Sequence, residues 1–307
     1  MERSKKNGER KQRMRLNSMC IRCLVDKQQG RIAGFADEEK KTAYMKEIAK
    51  IIGESGDEAS SAYLVYLFNQ VYRRYFGETK DYTGIKKEYN AYVLEMEDDL
   101  YEKILGAEDP LAQSVVYARI GNYIDFGAMQ NVEKDVFLKL FEDEGKNRLD
   151  RTVYEEFLQD CREGKRFLLL TDNCGEIVLD KLFLRELKKR FPHLDICVMV
   201  KGEEVLNDAT MEDAEETGVC GVAKVIPNGN GVAGTVEEML SEEGLEALEQ
   251  ADIILAKGQA NFETLSGCGR NIYYSFLCKC DWFSGRFGVE RNTGMFIREK
   301  EGRKEKC

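Results

Sequence analysis

Five short apolar runs, at 167–170, 196–200, 222–226, 252–256 and 272–277, alternate with helical patterns at 176–190, 209–217 and 235–250. Runs of this length are too short for buried helices and match buried strands. Strands that alternate with helices need crossover connections. Crossovers make the strands parallel and put helices on the faces of the sheet. The first half of the chain lacks this alternation. Apolar residues recur there at three- and four-residue spacing over 38–52, 59–76, 86–105, 109–123, 132–142 and 152–163, which predicts helices. In the second of these, Tyr63, Tyr66, Leu67, Val71 and Tyr75 share one face and are expected in a core. The fold class that follows is α/β, a Rossmann-like α/β/α parallel sheet with a helical N-terminal part. The expected division is a basic disordered tail at 1–17, the helical part at 18–163, the Rossmann-like metal-binding domain at 164–297 and a charged tail at 298–307.

Two strings stand where strands end. Phe167-Leu168-Leu169-Leu170 runs into Thr171-Asp172-Asn173-Cys174-Gly175-Glu176, and Ile253-Ile254-Leu255-Ala256 runs into Lys257-Gly258-Gln259-Ala260-Asn261-Phe262-Glu263. In open α/β sheets, ligands bind outside the carboxyl ends of strands, so both strings are expected to face one crevice. Asp172 and Asn173 offer oxygen ligands to a hard cation such as Mg²⁺ or Mn²⁺. Gly175 permits a tight turn, and the helix starting at Glu176 has free N–H groups at which a phosphate could rest. For Asp172 or Asn173 alone, helix capping is the simpler reading; the whole string at a strand end points to a site. Asn207 and Asp208 again precede a helical pattern, with Asp208 either a second carboxylate of the site or a cap. Gly258 allows close backbone approach to a ligand. Asn261 can bind a phosphate oxygen, a sugar hydroxyl or a loop carbonyl. Lys279 ends the last strand, where a cation neutralises a transferring phosphoryl group; an exposed lysine is the plain alternative.

Composition narrows the classes. Charged residues are 33% and apolar residues 43% of the 307, and only three prolines occur, so a Pro-rich linker is not expected. No apolar stretch is long enough for a bilayer, and the first residues lack the apolar segment of a signal peptide. A cytoplasmic protein with no membrane partner is expected. Residues 1–15 carry a net charge of +5, which leaves −15 for the rest of a chain at −10. An acidic body does not favour nucleic acid, and the basic tail reads as solvated. The ten cysteines are expected to be thiols. Cys20-Ile21-Arg22-Cys23 is either a half-complete zinc site, a redox pair or plain thiols. His193 stands alone, which argues against Ser-His-Asp chemistry. Neither GxGxxG nor GxxxxGK[ST] is present. Asn228 to Gly234 is Gly-rich and reads as a mobile wall over the ligand or a surface loop.

These strings resemble the metal-dependent damage-control phosphatase family, formerly domain-of-unknown-function family 89. The likeness rests on Asp172 to Asp180, Asn207 to Thr210, Lys257 to Glu263 and Lys279, with Gly121-Asn122-Tyr123-Ile124-Asp125-Phe126-Gly127 in the helical half. The pair Cys20 and Cys23 is similar to its microbial branch. The resemblance implies a phosphoric monoester hydrolase acting on small phosphorylated metabolites such as sugar phosphates, with Mn²⁺, Mg²⁺, Co²⁺ or Ni²⁺. It implies that Asp172, Asn173 and Asp208 hold the metal. It places Asn122, Asp125, Gly175, Lys257, Gly258, Asn261, Glu263 and Lys279 around substrate. The nucleophile is either water or the Asp172 carboxylate, with Glu176 or Asp208 as base in the first case. Lys279 sits in Cys278-Lys279-Cys280, unlike the Arg-Thr-x-Lys of eukaryotic relatives, so their substrates do not transfer. Two other classes are an S-adenosylmethionine-dependent carboxyl methyltransferase, disfavoured by Asp-Asn-Cys-Gly-Glu where a Gly-rich loop belongs, and a non-catalytic zinc or RNA-binding module.

Overall fold

In a computed structural model of the chain, residues 16–56, 59–77, 81–123, 141 and 149–299 are described. The basic tail up to residue 15, Asp125, most of the 132–142 helical pattern and residues 300–307 lie outside the described residues.

The helices, in order, are α1 (Ser18–Arg31), α2 (Glu38–Glu54), α3 (Ser61–Phe76), α4 (Thr83–Leu94), α5 (Glu97–Leu105), α6 (Pro110–Ile120), α7 (Arg151–Glu163), α8 (Glu176–Arg190), α9 (Met211–Glu216), α10 (Glu242–Gln250), α11 (Gly258–Leu265) and α12 (Asp281–Phe287). The strands are β1 (Arg166–Leu170), β2 (Asp195–Val200), β3 (Lys224–Pro227), β4 (Ile253–Lys257), β5 (Ile272–Leu277) and β6 (Gly294–Arg298). Side-chain caps start many helices: Asn17, Asp37, Ser60, Asp109, Asp150 and Ser241 each accept from a first-turn N–H. Such caps satisfy donors that a helix cannot pair internally.

The sheet order is β3-β2-β1-β4-β5-β6. The pairs β1–β2, β1–β4, β2–β3 and β4–β5 are parallel, and β6 joins β5 antiparallel. The parallel α/β reading therefore holds, with one antiparallel edge strand that the apolar pattern did not announce. Each strand alternates its faces. Phe167, Leu169, Val198 and Leu255 pack on one side with α6, α7 and α8. Leu168, Leu170, Met199 and Ala256 pack on the other with α10, α11 and α12. Three layers result, with the strand ends open to ligand.

The helical part divides by packing. Helices α1 to α3 form their own core around Tyr44, Ile48, Leu64 and Phe68. Helices α6 and α7 instead supply Leu111, Val115, Phe157 and Cys161 to the sheet, although they lie within the 18–163 stretch. The expected helix over 86–105 breaks near Met96, and both halves bury residues against Val178, Leu179 and Leu182 of α8. The tyrosine face expected in α3 is shifted: Ala62, Leu64, Phe68 and Val71 are the buried set, and Tyr63 and Tyr66 stay partly exposed. Helices α1 and α12 were not foreseen. Asn228 to Gly234 is mostly buried rather than a surface loop, and Gly231 and Ala233 line the wall of a cleft. Asn228 Oδ1 accepts from Gly202 and Asn230 N–H groups, Asn230 Nδ2 donates to Met239 O, and Val232 is fully buried.

Phe157 is the aromatic hub of the lower layer, with rings of Phe167, Phe183, Tyr273 and Phe296 at 5.1 to 6.4 Å. Phe157→Ala is expected to destabilise the protein by about 3–5 kcal/mol, because the lost burial adds to an unfilled cavity. Denaturant unfolding measures this, and a loss below about 1 kcal/mol would show that the layer repacks around the gap.

Candidate active site

β1 and β4 are hydrogen-bonded neighbours at which the strand order reverses. Their carboxyl ends deliver Asp172 and Gly258 to one point, as the two strings implied. Gly258 has φ +79°, and a Cβ on it would stand 2.1 Å from Asp172 Oδ2. Only glycine lets α11 begin against that carboxylate.

Two amides hold Asp172. Asn122 Nδ2 donates to its Oδ2 at 2.6 Å and Asn173 Nδ2 donates to the same oxygen at 2.8 Å. The second hydrogen of each amide goes to Glu176 Oε2, at 3.0 and 2.9 Å. Glu176 Oε1 accepts from Lys257 Nζ at 2.7 Å, and that ammonium also donates to Asp180 Oδ1 at 2.5 Å and Ala118 O at 3.0 Å. Lys257 and Glu176 have no exposed surface. Lys257 is thus a partner of protein oxygens, not of a ligand in the crevice. Glu176, expected as a base, has both oxygens engaged, so proton transfer from water has no open oxygen there. Asn122 is also fully occupied, since its Oδ1 accepts from Leu277 N–H.

Asp208 enters from the loop after β2. Its backbone bridges to Asn173, and its N–H donates to Val205 O. Its buried Oδ2 stands 3.6 Å from Lys201 Nζ, an ion pair just longer than a hydrogen bond. Lys201 directly follows β2, much as Lys257 ends β4, and it donates to Gly234 O. Sequence reasoning gave Lys201 and Asp180 no role, although a lysine directly after an apolar strand is the visible signal. Asn207 Nδ2 donates to Asn173 Oδ1 at 2.8 Å, which fixes the Asn173 amide.

The electrostatics are those of crowded acids. Burial, then the Glu176 and Asp208 charges, pushes Asp172 up to about 8, and the Lys279 ammonium pulls against them. Burial raises Asp208 to about 6 against the pull of Lys201 and Lys86. Low-dielectric surroundings disfavour two adjacent carboxylates. A cation bound there would relieve that penalty. The two Asp carboxylates supply hard oxygens suited to such an ion, and Asn173 Oδ1 keeps one lone pair beside the bond from Asn207, so the residues present fit a divalent metal. Among the described residues, no group of three or more His, Cys, Asp or Glu side chains is arranged to hold a metal, which gives Cys20 and Cys23 no further such ligands.

The remaining expected residues divide. Lys279 lies close enough to act on Asp172; its backbone N–H donates to Gln259 Oε1 and its carbonyl accepts from Arg291. Asn261 is buried and donates to Thr171 O and Lys257 O while accepting from Thr235; of its three possible partners, the structure shows loop carbonyls. Gly175 N–H donates to Asn90 Oδ1, Cys174 N–H to Asn207 O, and Glu176 N–H to Cys174 O. The start of α8 therefore has these donors engaged. Glu263 accepts from Gln259 Nε2 and lines a cleft of about 1310 Å³. That cleft is lined by Leu206 and Ala260 and reaches Cys20, Lys27 and Tyr66 on the N-terminal helices, while Asp172, Asn173 and Asp208 are not among its lining residues. Asp125 lies outside the described residues. No described helix is long and apolar enough to cross a membrane.

Comparison with known proteins agrees with this architecture. The family described as Damage-control phosphatase ARMT1-like domain matches residues 16–295. A damage-control phosphatase of Archaeoglobus fulgidus is 30% identical over 92% of this chain and 98% of its own length. The damage-control phosphatase PH1575 of Pyrococcus horikoshii is 27% identical over 94% of this chain and 99% of its own. An uncharacterised Methanocaldococcus jannaschii protein is 30% identical over 85% of this chain and 88% of its own. The crystal structure of PH1575, a DUF89 family protein, superposes with a TM-score of 0.78 at 25% identity, covering 94% of this chain and all of that one. The strand-end acids, the switch-point crevice and these matches together place the chain in the damage-control phosphatase ARMT1-like family.

Proposed function

We propose that the chain hydrolyses phosphate monoesters of small metabolites, sugar phosphates among them, with a divalent metal held by Asp172, Asn173 and Asp208. The observation that carries this reading is the buried Asp208 Oδ2, met by Lys201 Nζ at 3.6 Å and so beyond hydrogen-bond length, in one crevice with an Asp172 carboxyl of raised pKa. When bound, such an ion neutralises phosphoryl charge and acidifies water. The chain's own residues supply the rest. Asn122 and Asn173 orient the Asp172 carboxylate by fixing one oxygen. Lys279 brings positive charge to the same point and offsets the charge of a transferring phosphoryl group. Glu176 is fully hydrogen bonded, so proton transfer falls to the carboxylates with an open oxygen, Asp172 and Asp208. The cleft beyond Ala260 receives the organic part of the ester. Mn²⁺, Mg²⁺, Co²⁺ and Ni²⁺ are the ions to compare.

EDTA-treated protein is expected to release no phosphate from p-nitrophenyl phosphate or a sugar-phosphate panel, and Mn²⁺ or Co²⁺ to restore release. Asp172→Ala is expected to abolish restoration with the fold retained by circular dichroism. Restored activity in that variant would remove Asp172 from the reaction centre. Lys279→Ala is expected to lower kcat/KM by about tenfold or more, equivalent to ~1.4 kcal/mol of transition-state stabilisation. Wild-type kinetics in that variant would make Lys279 a solvated strand-end residue.

The raised carboxyls also set a pH dependence. In the folded protein Asp172 and Asp208 lie at about 8 and about 6, above the unfolded aspartate value of about 3.9. Each favours the fold while protonated, and that contribution is lost as pH rises through the folded value. Metal-free Asp208→Asn is therefore expected to gain melting temperature relative to metal-free wild type as pH rises from about 4 to about 6. A difference that stays flat across this window would mean that Asp208 titrates normally.

A further inference from the structure

We propose that Lys257 and Glu176 are positioning residues for Asp172, acting through the two asparagine amides; the inference rests on the reading of Asp172 as the reaction centre. The geometry is a relay of fixed acceptors and donors. Lys257 Nζ holds Glu176 Oε1 at 2.7 Å. The other Glu176 oxygen takes one N–H from Asn122 and one from Asn173. Each amide then has one hydrogen left, and both point at Asp172 Oδ2, at 2.6 and 2.8 Å. One carboxylate oxygen is thereby fixed, and Oδ1 takes no part in the relay.

The surrounding fold is built to close this relay. A Cβ on Gly121 would stand 2.9 Å from Glu176 Cγ, so only glycine brings Asn122 this near α8. Asn173 Oδ1 accepts from Asn207, which stops the amide from turning. Lys257 is anchored on its far side by Asp180 and by Ala118 O. Partners behind a reacting or ligating group that set its orientation commonly change affinity or activity about 10- to 100-fold when removed.

A neutral amide at position 176 breaks the relay for a stated reason. Glutamine has one acceptor oxygen, so its NH₂ faces either the Lys257 ammonium or the two asparagine NH₂ groups. Removing Lys257 as well lets the introduced glutamine turn its oxygen to the asparagines and its NH₂ to Asp180. The relay therefore makes the second substitution compensate the first.

The test compares wild type, Glu176→Gln, Lys257→Met and the Glu176→Gln/Lys257→Met double variant. Steady-state hydrolysis of p-nitrophenyl phosphate with Mn²⁺ gives kcat and KM. Side-chain amide proton exchange of Asn122 and Asn173, followed by NMR on the metal-free proteins, reads the relay without any reaction. Glu176→Gln is expected to lower kcat about tenfold or more with KM within about twofold, and to speed both amide exchanges about tenfold or more. The double variant is expected to recover part of both losses. Wild-type kcat and exchange in Glu176→Gln, or losses in the double that merely add, would overturn the inference. Should Glu176→Gln not fold, the double variant set against Lys257→Met carries the same comparison. Wild type that releases no phosphate would remove the phosphatase reading, and the amide exchange would still decide the relay.

Discussion

The crevice depends on an ammonium that never meets solvent. Burial alone would strip the proton from Lys257, but Asp180 and Glu176 raise its pKa and keep it charged. Those two acids in turn have no exposed surface to speak of. Taking three such charges out of water is expensive, and a buried ion pair is weak evidence for stability. What the arrangement does supply is direction. The ammonium ties the end of β4 to two successive turns of α8 and to the end of α6. The carboxylate it fixes reaches the amides of Asn122 after α6 and Asn173 after β1. One interaction thus sets the sheet against the helical layer of α6 and α8.

That placement follows from topology. At the reversal of strand order, the loops after β1 and β4 turn to opposite faces of the sheet and leave a gap. The chain fills the gap with Asp172 from one side and the Gly258 backbone from the other. Asp208 and Lys201 come from the neighbouring strand β2, and Lys279 from β5. Four adjacent strand ends therefore converge on a small volume. Burial there, with neighbouring acids adding to it, raises the pKa of Asp172 and Asp208, an energetic cost that suits a site completed by a cation. The wide cleft above is walled by α1 and α3, which have a core of their own and stand over the strand ends.

Much of the sheet was visible in the residues. The runs at 167–170, 196–200 and 272–277 lie within β1, β2 and β5, because a strand covered on both faces must be apolar throughout. The helix over 176–190 was equally plain. The edge strand β6 was not, since Gly294-Met295-Phe296-Ile297-Arg298 is half covered and its apolar run, Met295 to Ile297, is only three residues long. Helix α1 was hidden for a related reason: only Leu24 and Gln28 are buried in it, so its period is faint. The break at Met96 was invisible because both halves keep one apolar face on α8.

The sequence by itself determined the chemistry on offer: side-chain oxygens at Asp172, Asn173 and Asp208, glycine at 258, a lysine after β5. Residue types at strand ends are enough for that, because the pleat and the crossovers leave strand ends nowhere else to face. Only the tertiary structure decided which of these groups are open and which are engaged. Glu176, Asn122 and Lys257 look like substrate or proton-transfer groups in one dimension. In three dimensions their hydrogen bonds are taken by one another. Hydrogen-bond capacity is finite, and its partners here come from residues about 50 to 140 positions apart, a pairing that no local pattern encodes.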